Sequence, residues 1–420
     1  MNGAALTRSE LARYGLLGLP LAFVALPLYV VLPNHYARTY GVSLAALGLV
    51  LLATRLLDAV TDPWIGGWID RLQNRSSNAV LRVAGAGAAL LAIGFAALFL
   101  PPTRSPGALL AWAAAMLALT YLGYSAVSVA HHAWGARLGG DEVQRSRITG
   151  VREGLALMGV LVAAAAPTVI GLPAMAVLLA VLLAAAWTAL AGSRRPATCS
   201  LDPQGGAPLS LPLRNPAFRR LLGVFIVNGI ASAVPATLVL FFVQDRLQAP
   251  ASMQPAFLGV YFLCAALSVP VWLALVRRLG LARSWLVGMG LAIVAFVFAF
   301  ALGTGDSVAF LAICAGSGVA LGADLALPSA LLAGVIGAAG HAGRHEGAYF
   351  GWWNLASKLN LALAAGLALP MLQLAGYAPG RRDDQALWAL SLAYCLLPCA
   401  LKLVAAAALR RFIVRPGVVP

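Results

Sequence analysis

Apolar runs of spanning length recur along the chain at about 14–33, 42–69, 79–100, 108–136, 148–171, 173–192, 219–243, 253–275, 284–302, 307–336, 348–372 and 385–408. Most hold about 20 residues or more, the length an α-helix needs to cross a hydrocarbon core. None shows the period-2 alternation of a barrel strand, and a lipid-embedded segment must satisfy its own backbone, so the pattern predicts twelve transmembrane helices. The longest polar interruption, from about Ser193 to Arg220, contains Pro, Gly and Ser and reads as a flexible linker. It divides the chain into an amino-terminal six-helix bundle (1–192), a linker (193–218) and a carboxy-terminal six-helix bundle (219–420). A short repeat supports the halving. Pro63-Trp64 leads to Arg71 and Pro270-Val271-Trp272 leads to Arg278, eight residues from Pro to Arg in both.

Composition sharpens this picture. Hydrophobic residues make up 61% of the 420 and charged ones only 10%, with 29 Lys+Arg against 14 Asp+Glu and a net charge of +15. A nucleic-acid binder carries its basic residues on a water-facing surface. Here they stand singly or in pairs between apolar runs, which excludes a nucleic-acid partner and makes the charge a topology signal. Arg8, Arg13, Arg71, Arg75, Arg137, Arg145, Arg147, Arg194, Arg195, Arg214, Arg219, Arg220, Arg277, Arg278, Arg283, Arg344, Arg410, Arg411 and Arg415 fall on one side. The other side has Arg38, Arg104, Arg246, Arg381 and Arg382, the last three beside Asp245, Asp383 and Asp384. The positive-inside rule places the first side, and with it both termini, in the cytoplasm. The first run is too long for a signal h-region and is expected to remain as a span. The five cysteines, Cys199, Cys264, Cys314, Cys395 and Cys399, show no CxxC spacing and read as neither ligands nor disulfides. The Ala- and Arg-rich composition points to a bacterial inner membrane. HExxH, P-loop and GxSxG patterns are absent, and no linker is long enough for a nucleotide-binding domain, so an enzyme is not expected.

Charges inside spans are costly and mark function. In the second run Arg55, Asp58 and Asp62 are spaced i, i+3 and i+7 and share one helical face. Two carboxylates a turn apart in a low dielectric do not both stay ionised cheaply. One binds a proton, a cation joins them, or Arg55 neutralises one. Thr61 lies beside them, and Ser125 or Ser128 on the fourth run would add oxygen, an all-oxygen set that suits Na+ or H+ at Asp58 and Asp62. Lys358 lies deep in the eleventh run and calls for an anionic partner or substrate. Asp324, in the tenth, reads as a gate or as half of a pair. Of the adjacent His131 and His132, about 100° apart on a helix, at most one faces a cavity.

Arg55-x-x-Asp58-x-x-x-Asp62-Pro63 with Gly66, Gly67, Asp70 and Arg71 resembles the second-helix signature of the glycoside–pentoside–hexuronide:cation symporters, the melibiose-carrier family of the major facilitator superfamily. Tyr14-Gly15, the stretch Gln144–Glu153, Gly322–Pro328, Glu346–Phe350 and Lys358 resemble other segments of that family, in order along most of the chain. The resemblance implies an all-α major facilitator fold of two six-helix bundles and a cation-coupled symporter working by alternating access. It implies a cation site at Asp58, Asp62 and Thr61, and substrate contacts at Arg152 and Lys358. Gating residues are expected at Arg55, Asp70, Arg71 and Glu346, with Asp70 and Arg71 as a cytoplasmic pair. The expected partners are a small-molecule solute, the coupling cation and membrane lipid, with no other cofactor, for a monomer.

The departures bear on the substrate. A first-helix acid that grips galactoside hydroxyls in the family falls at Ala22, and a fourth-helix acid falls near Ser128, with an aromatic position near His132. Without both acids a galactoside is disfavoured, and an apolar face around Ala22 would suit a lipid-like or amphipathic substrate. Trp352 and Trp353 read as interfacial or cavity-wall residues. Glu153, beside Arg152, reads as a structural latch or a substrate contact.

Overall fold

The computed structural model describes residues 6–42, 44–103, 105–196, 208–250, 253–377 and 380–415. Residues 197–207 of the expected linker, with Cys199, and Arg104 lie outside the described residues. Among those described, every regular element is helical.

The first apolar run is not one continuous helix. It comprises α1 (Arg8–Gly15), α2 (Gly18–Phe23), a π turn at Pro27–Val31 and α3 (Leu32–Tyr40). Pro20, Pro27 and Pro33 each lack the amide that the i→i−4 ladder needs, which is why hydropathy sees one span where the backbone makes several pieces. Next come α4 (Leu44–Arg75), α5 (Ser77–Phe99), α6 (Pro106–Arg137), α7 (Glu142–Val169) and α8 (Gly171–Ala191). A short α9 (Leu211–Arg214) precedes α10 (Pro216–Phe241), α11 (Gln254–Leu279), α12 (Leu281–Ala299), α13 (Ser307–Ala338) and α14 (Glu346–Leu374). The last run is α15 (Asp384–Ser391), a π turn at Leu392–Leu396 and α16 (Leu397–Leu409), interrupted just before Pro398. Among the described residues ten helical segments are long and apolar enough to cross a membrane. The other two long helices, α4 and α14, are the ones that carry Arg55, Asp58, Asp62 and Lys358.

Contacts divide the chain into unit 1, Met1–Pro212 with Ala339–Leu355, and unit 2, Leu213–Ala338 with Ala356–Pro420. The division differs from the polar-linker boundaries in two places. Helices α9 and α10 start inside the expected linker, and the first turns of α14 belong to unit 1. The second difference has a packing cause. Gly347 and Gly351 are one turn apart on α14, and α4 runs antiparallel across them. A Cβ on Gly66 would meet the Gly347 carbonyl, and one on Gly351 would lie 2.6 Å from the Asp62 carbonyl. Such small-residue faces let backbones approach in lipid, where no hydrophobic effect drives helices together. Gly66→Val is therefore expected to lower stability by about 1–3 kcal/mol, read as a lower unfolding midpoint in detergent; an unchanged midpoint would contradict this contact.

Within unit 1, α5 and α6 use the same device, since a Cβ on Gly123 would lie 2.6 Å from the Gly87 carbonyl. Phe23, Phe95, Leu91 and Trp134 fill the core around them. Unit 2 is built on a ring cluster. Tyr394 stacks on Phe242 at 4.2 Å between centroids, and Phe310 meets Phe257 edge-on at 5.0 Å.

Candidate functional site

Helix α4 is polar on the face it buries and apolar on the face it exposes. Leu57, Val60 and Trp64 are exposed, whereas Asp58 is 5% and Asp62 0% exposed. Asp58 is held on both oxygens: Ser125 on α6 donates its hydroxyl to Oδ1 at 2.6 Å, and Arg55 Nη1 lies 3.2 Å from Oδ2. The Arg55 guanidinium in turn sits over the rings of Tyr29 (5.5 Å) and Tyr121 (5.3 Å), which fixes it while leaving its charge on Asp58. Of the three ways to relieve two adjacent carboxylates, the structure shows an Arg55–Asp58 ion pair. Thr61 turns its hydroxyl proton to the Asp58 carbonyl at 2.9 Å, leaving only lone pairs for any ligand. Ser128 accepts from Asn354 Nδ2 at 3.4 Å. Asp62 lies deeper in the same face, one turn along, with Gly351 packed against its backbone.

The expected substrate residues fall in several places. Arg152 on α7 is buried, and its Nε and Nη2 donate to Glu153 Oε1 at 2.9 and 2.7 Å. His131 takes the wall rather than an opening: its Nε2 lies 2.8 Å from the Tyr14 carbonyl oxygen and its ring 4.4 Å from the Tyr14 ring. His132 lies with its ring 6.4 Å from that of His131 and stacks on Phe350 at 5.3 Å. Ala22 is half-buried on α2, Trp353 is buried in unit 1, and Trp352 donates to the Leu209 carbonyl at 2.9 Å. Lys358 is buried in unit 2.

At the Asp70 end of α4 the two expected gating residues are placed differently. Residue i+1 projects about 100° away, and Arg71 is exposed. The partner of Asp70 is Arg137, whose side chain is wholly buried with Nη2 at 3.0 Å from Asp70 Oδ1 and Nε at 2.8 Å from Glu346 Oε2. Arg137 Nη1 also donates to Asn74 Oδ1 at 3.0 Å. Asp70 accepts the Gly347 and Ala348 amides, both at 2.7 Å, so it caps α14 from another helix and meets the positive end of its dipole. Glu346 accepts the Gly343 amide. Nearby, burial and then the positive charges around it push the His345 imidazole down to about 4. It stays neutral at pH 7, so Arg137 is the cation facing Asp70 and Glu346.

A second buried ion pair lies wholly in unit 2. Lys402 Nζ on α16 is 2.7 Å from Asp324 Oδ2 on α13, and Asn228, Ser232 and Trp285 also donate to that carboxylate. Lys402 stands inside an apolar run just as Lys358 does, so the same signal marks it. The roles of Arg137 and Asn354 have no such mark. Among the described residues no group of three or more His, Cys, Asp or Glu is placed to hold a metal ion.

The architecture is similar to two crystal structures, each of a bacterial homologue of the iron transporter ferroportin. One, in the outward-facing state, gives a TM-score of 0.76 at 17% identity over 98% of this chain and 100% of that chain. The other, in the outward-facing state with soaked iron, gives 0.71 at the same identity and coverage. At 17% identity the likeness speaks for the fold alone. No curated protein matches the sequence. The sequence profile of the family described as MFS/sugar transport protein matches residues 13–415, nearly the whole chain. The protein therefore belongs to that family, a multi-pass membrane transporter rather than an enzyme.

Proposed function

We propose that the protein couples the uptake of a small organic solute to Na+ or H+, as a symporter, through the carboxylates of α4. The observation that carries this reading is the placement of two carboxylates a turn apart on the buried face of one helix. Arg55 neutralises Asp58 and Ser125 donates a hydrogen bond to it, so the change of charge during transport is assigned to Asp62, fully buried one turn along. Both α4 and α14 are read as spans, twelve in all with both termini cytoplasmic, which puts the Asp70–Arg137–Glu346 latch at the cytoplasmic face of a bacterial inner membrane. Cation uptake at Asp62 removes a buried charge and so favours the solute-binding geometry; the empty site resists the return step. One charge moving through 100 mV supplies about 2.3 kcal/mol, roughly fiftyfold accumulation. Arg152, Lys358, His132 and Trp353 are the proposed substrate contacts, with Ala22 on an apolar face where the sugar-binding acid is missing. The solute is thus not expected to be a galactoside. An all-oxygen donor set suits a hard monovalent ion or a proton, which separates this reading from the iron named for the structural neighbours.

Reconstitution tests it. Proteoliposomes holding only this protein are expected to concentrate at least one solute from a panel of sugars, polyols and organic acids when a Na+ or pH gradient is imposed. Collapse of the gradient with an ionophore should abolish that uptake. Solute flux indifferent to both gradients would overturn the coupling.

A further inference from the structure

Unit 2 contains a cavity of about 300 Å³, within the size range of small-molecule sites. Its walls are mostly apolar, including Phe257, Phe296, Tyr261 and Tyr394, and its polar wall is formed by Ser232, Asp324 and Lys402. Asn228 and Trp285 do not line it. They hold the carboxylate from behind, donating to Asp324 Oδ1 at 3.1 and 2.8 Å. Ser232 and Lys402 donate to Oδ2 at 3.2 and 2.7 Å. A carboxylate accepts about four hydrogen bonds, so Asp324 is saturated and has nothing to offer a ligand's donor.

Lys402 is different. Its ammonium has three N–H groups, and two are used, on Asp324 Oδ2 at 2.7 Å and Asn228 Oδ1 at 2.9 Å. The side chain is 5% exposed and that exposure is to the cavity it lines, so the third N–H has only the cavity to turn to. The Tyr261 and Tyr394 hydroxyls make no hydrogen bond among the described residues. The unspent capacity is therefore the third N–H of Lys402, a pure donor, and the two phenol hydroxyls, which donate or accept, in a chamber whose ion pair sums to zero charge. An anion would lose its hydration with no net positive charge to replace it, and a cation would meet the free N–H of Lys402. A neutral acceptor suffers neither cost. A buried ion pair is not needed for stability, since well-packed apolar side chains do as well, and an unfilled apolar cavity lowers stability. Both features are accounted for if the chamber is filled by a ligand.

We propose that this cavity is a binding site for a neutral, largely apolar organic molecule bearing one hydrogen-bond acceptor, such as a ketone, ester or ether oxygen, which takes the third N–H of Lys402. The site is separate from the carboxylates of α4 and does not depend on their coupling role.

Benzophenone is a suitable probe, being neutral, aromatic and photoreactive with a single ketone oxygen. Irradiation of the purified full-length protein with it should give saturable labelling of the peptides carrying Phe257, Tyr261 or Tyr394. Excess diphenylmethane, the same shape without the oxygen, should compete at least about tenfold less well than unlabelled ketone. The double variant Asp324→Asn, Lys402→Met removes the donor without stranding a charge and should erase that preference. If it does not fold, Ala236→Trp fills the cavity from its lining and leaves the polar wall intact. It should lose the labelling with an unfolding midpoint no lower than that of the wild type. Labelling that does not saturate, equal competition by diphenylmethane in the wild type, or wild-type labelling of a folded Ala236→Trp protein would each overturn the site.

Discussion

Asp62→Asn is expected to abolish gradient-driven accumulation, bringing the internal solute concentration down to the external one from a ratio of roughly fifty at 100 mV. The substitution keeps the side-chain volume and one oxygen but removes the charge that a cation or proton would cancel. Equilibrium exchange of solute should persist, because the substrate contacts are untouched. Asp58→Asn is expected to lose accumulation as well, for a different reason. Its carboxylate accepts Ser125 at 2.6 Å and faces Arg55 at 3.2 Å, so the amide strands a guanidinium that the rings of Tyr29 and Tyr121 hold in place. The freed Arg55 then repels the cation destined for Asp62. Arg55→Gln combined with Asp58→Asn removes that repulsion and should recover part of the uptake. Uptake by Asp62→Asn at the wild-type ratio would sink the assignment, and failure of the double variant to exceed Asp58→Asn would sink the role given to Arg55.

How much of this is legible in the sequence depends on which physical rule a residue obeys. Hydropathy locates nearly every helix to within a few residues, because the apolar length needed to cross a bilayer dominates composition in such a chain; α13 begins at Ser307 and the tenth run starts at 307. It misses the breaks at Pro27 and before Pro398, where a ring removes one hydrogen bond without changing hydropathy. The i, i+3, i+7 spacing on α4 puts Arg55, Asp58 and Asp62 on one face because helical geometry is local. Asp70 cannot be paired by the same reasoning, since its partner is 67 residues away on α6. Arg137 reads as one more positive charge on one side of the membrane, and nothing in its neighbours says that its side chain turns inward and is wholly buried. Lys402 is legible by the rule applied to Lys358, an ammonium within an apolar run. What the sequence does not supply is Asp324 and Asn228 converging on it from α13 and α10.

Arg137→Ala should produce the largest loss of stability of any single substitution in unit 1. It leaves Asp70 and Glu346 buried with their common cation removed, a loss of about 3–5 kcal/mol for a broken buried ion pair. The pH dependence identifies the cause. Burial already raises Asp70 from its ordinary 3.8 to about 7, with Arg137 pulling it back, and burial raises Glu346 too. Removing Arg137 sends both higher. A carboxyl whose pKa is raised in the folded protein holds a proton that the unfolded chain releases, so its contribution to stability falls as pH rises from the unfolded pKa through the folded one. The deficit of Arg137→Ala relative to wild type should therefore be larger at pH 8 than at pH 5, read as the difference in unfolding midpoint in detergent. A deficit independent of pH would point to lost packing rather than stranded charge. The triple variant Arg137→Met, Asp70→Asn, Glu346→Gln removes the charges together and should regain most of the stability, because a buried ionic cluster replaced as a whole is often neutral in its effect. The amide side chain introduced at position 70 still has a carbonyl oxygen to accept one of the two α14 amides now held at 2.7 Å. If that protein is stable but transports slowly or leaks solute, the latch acts in the transport cycle and not only in holding α14 against α4; wild-type transport by the triple variant would confine Asp70, Arg137 and Glu346 to a structural role.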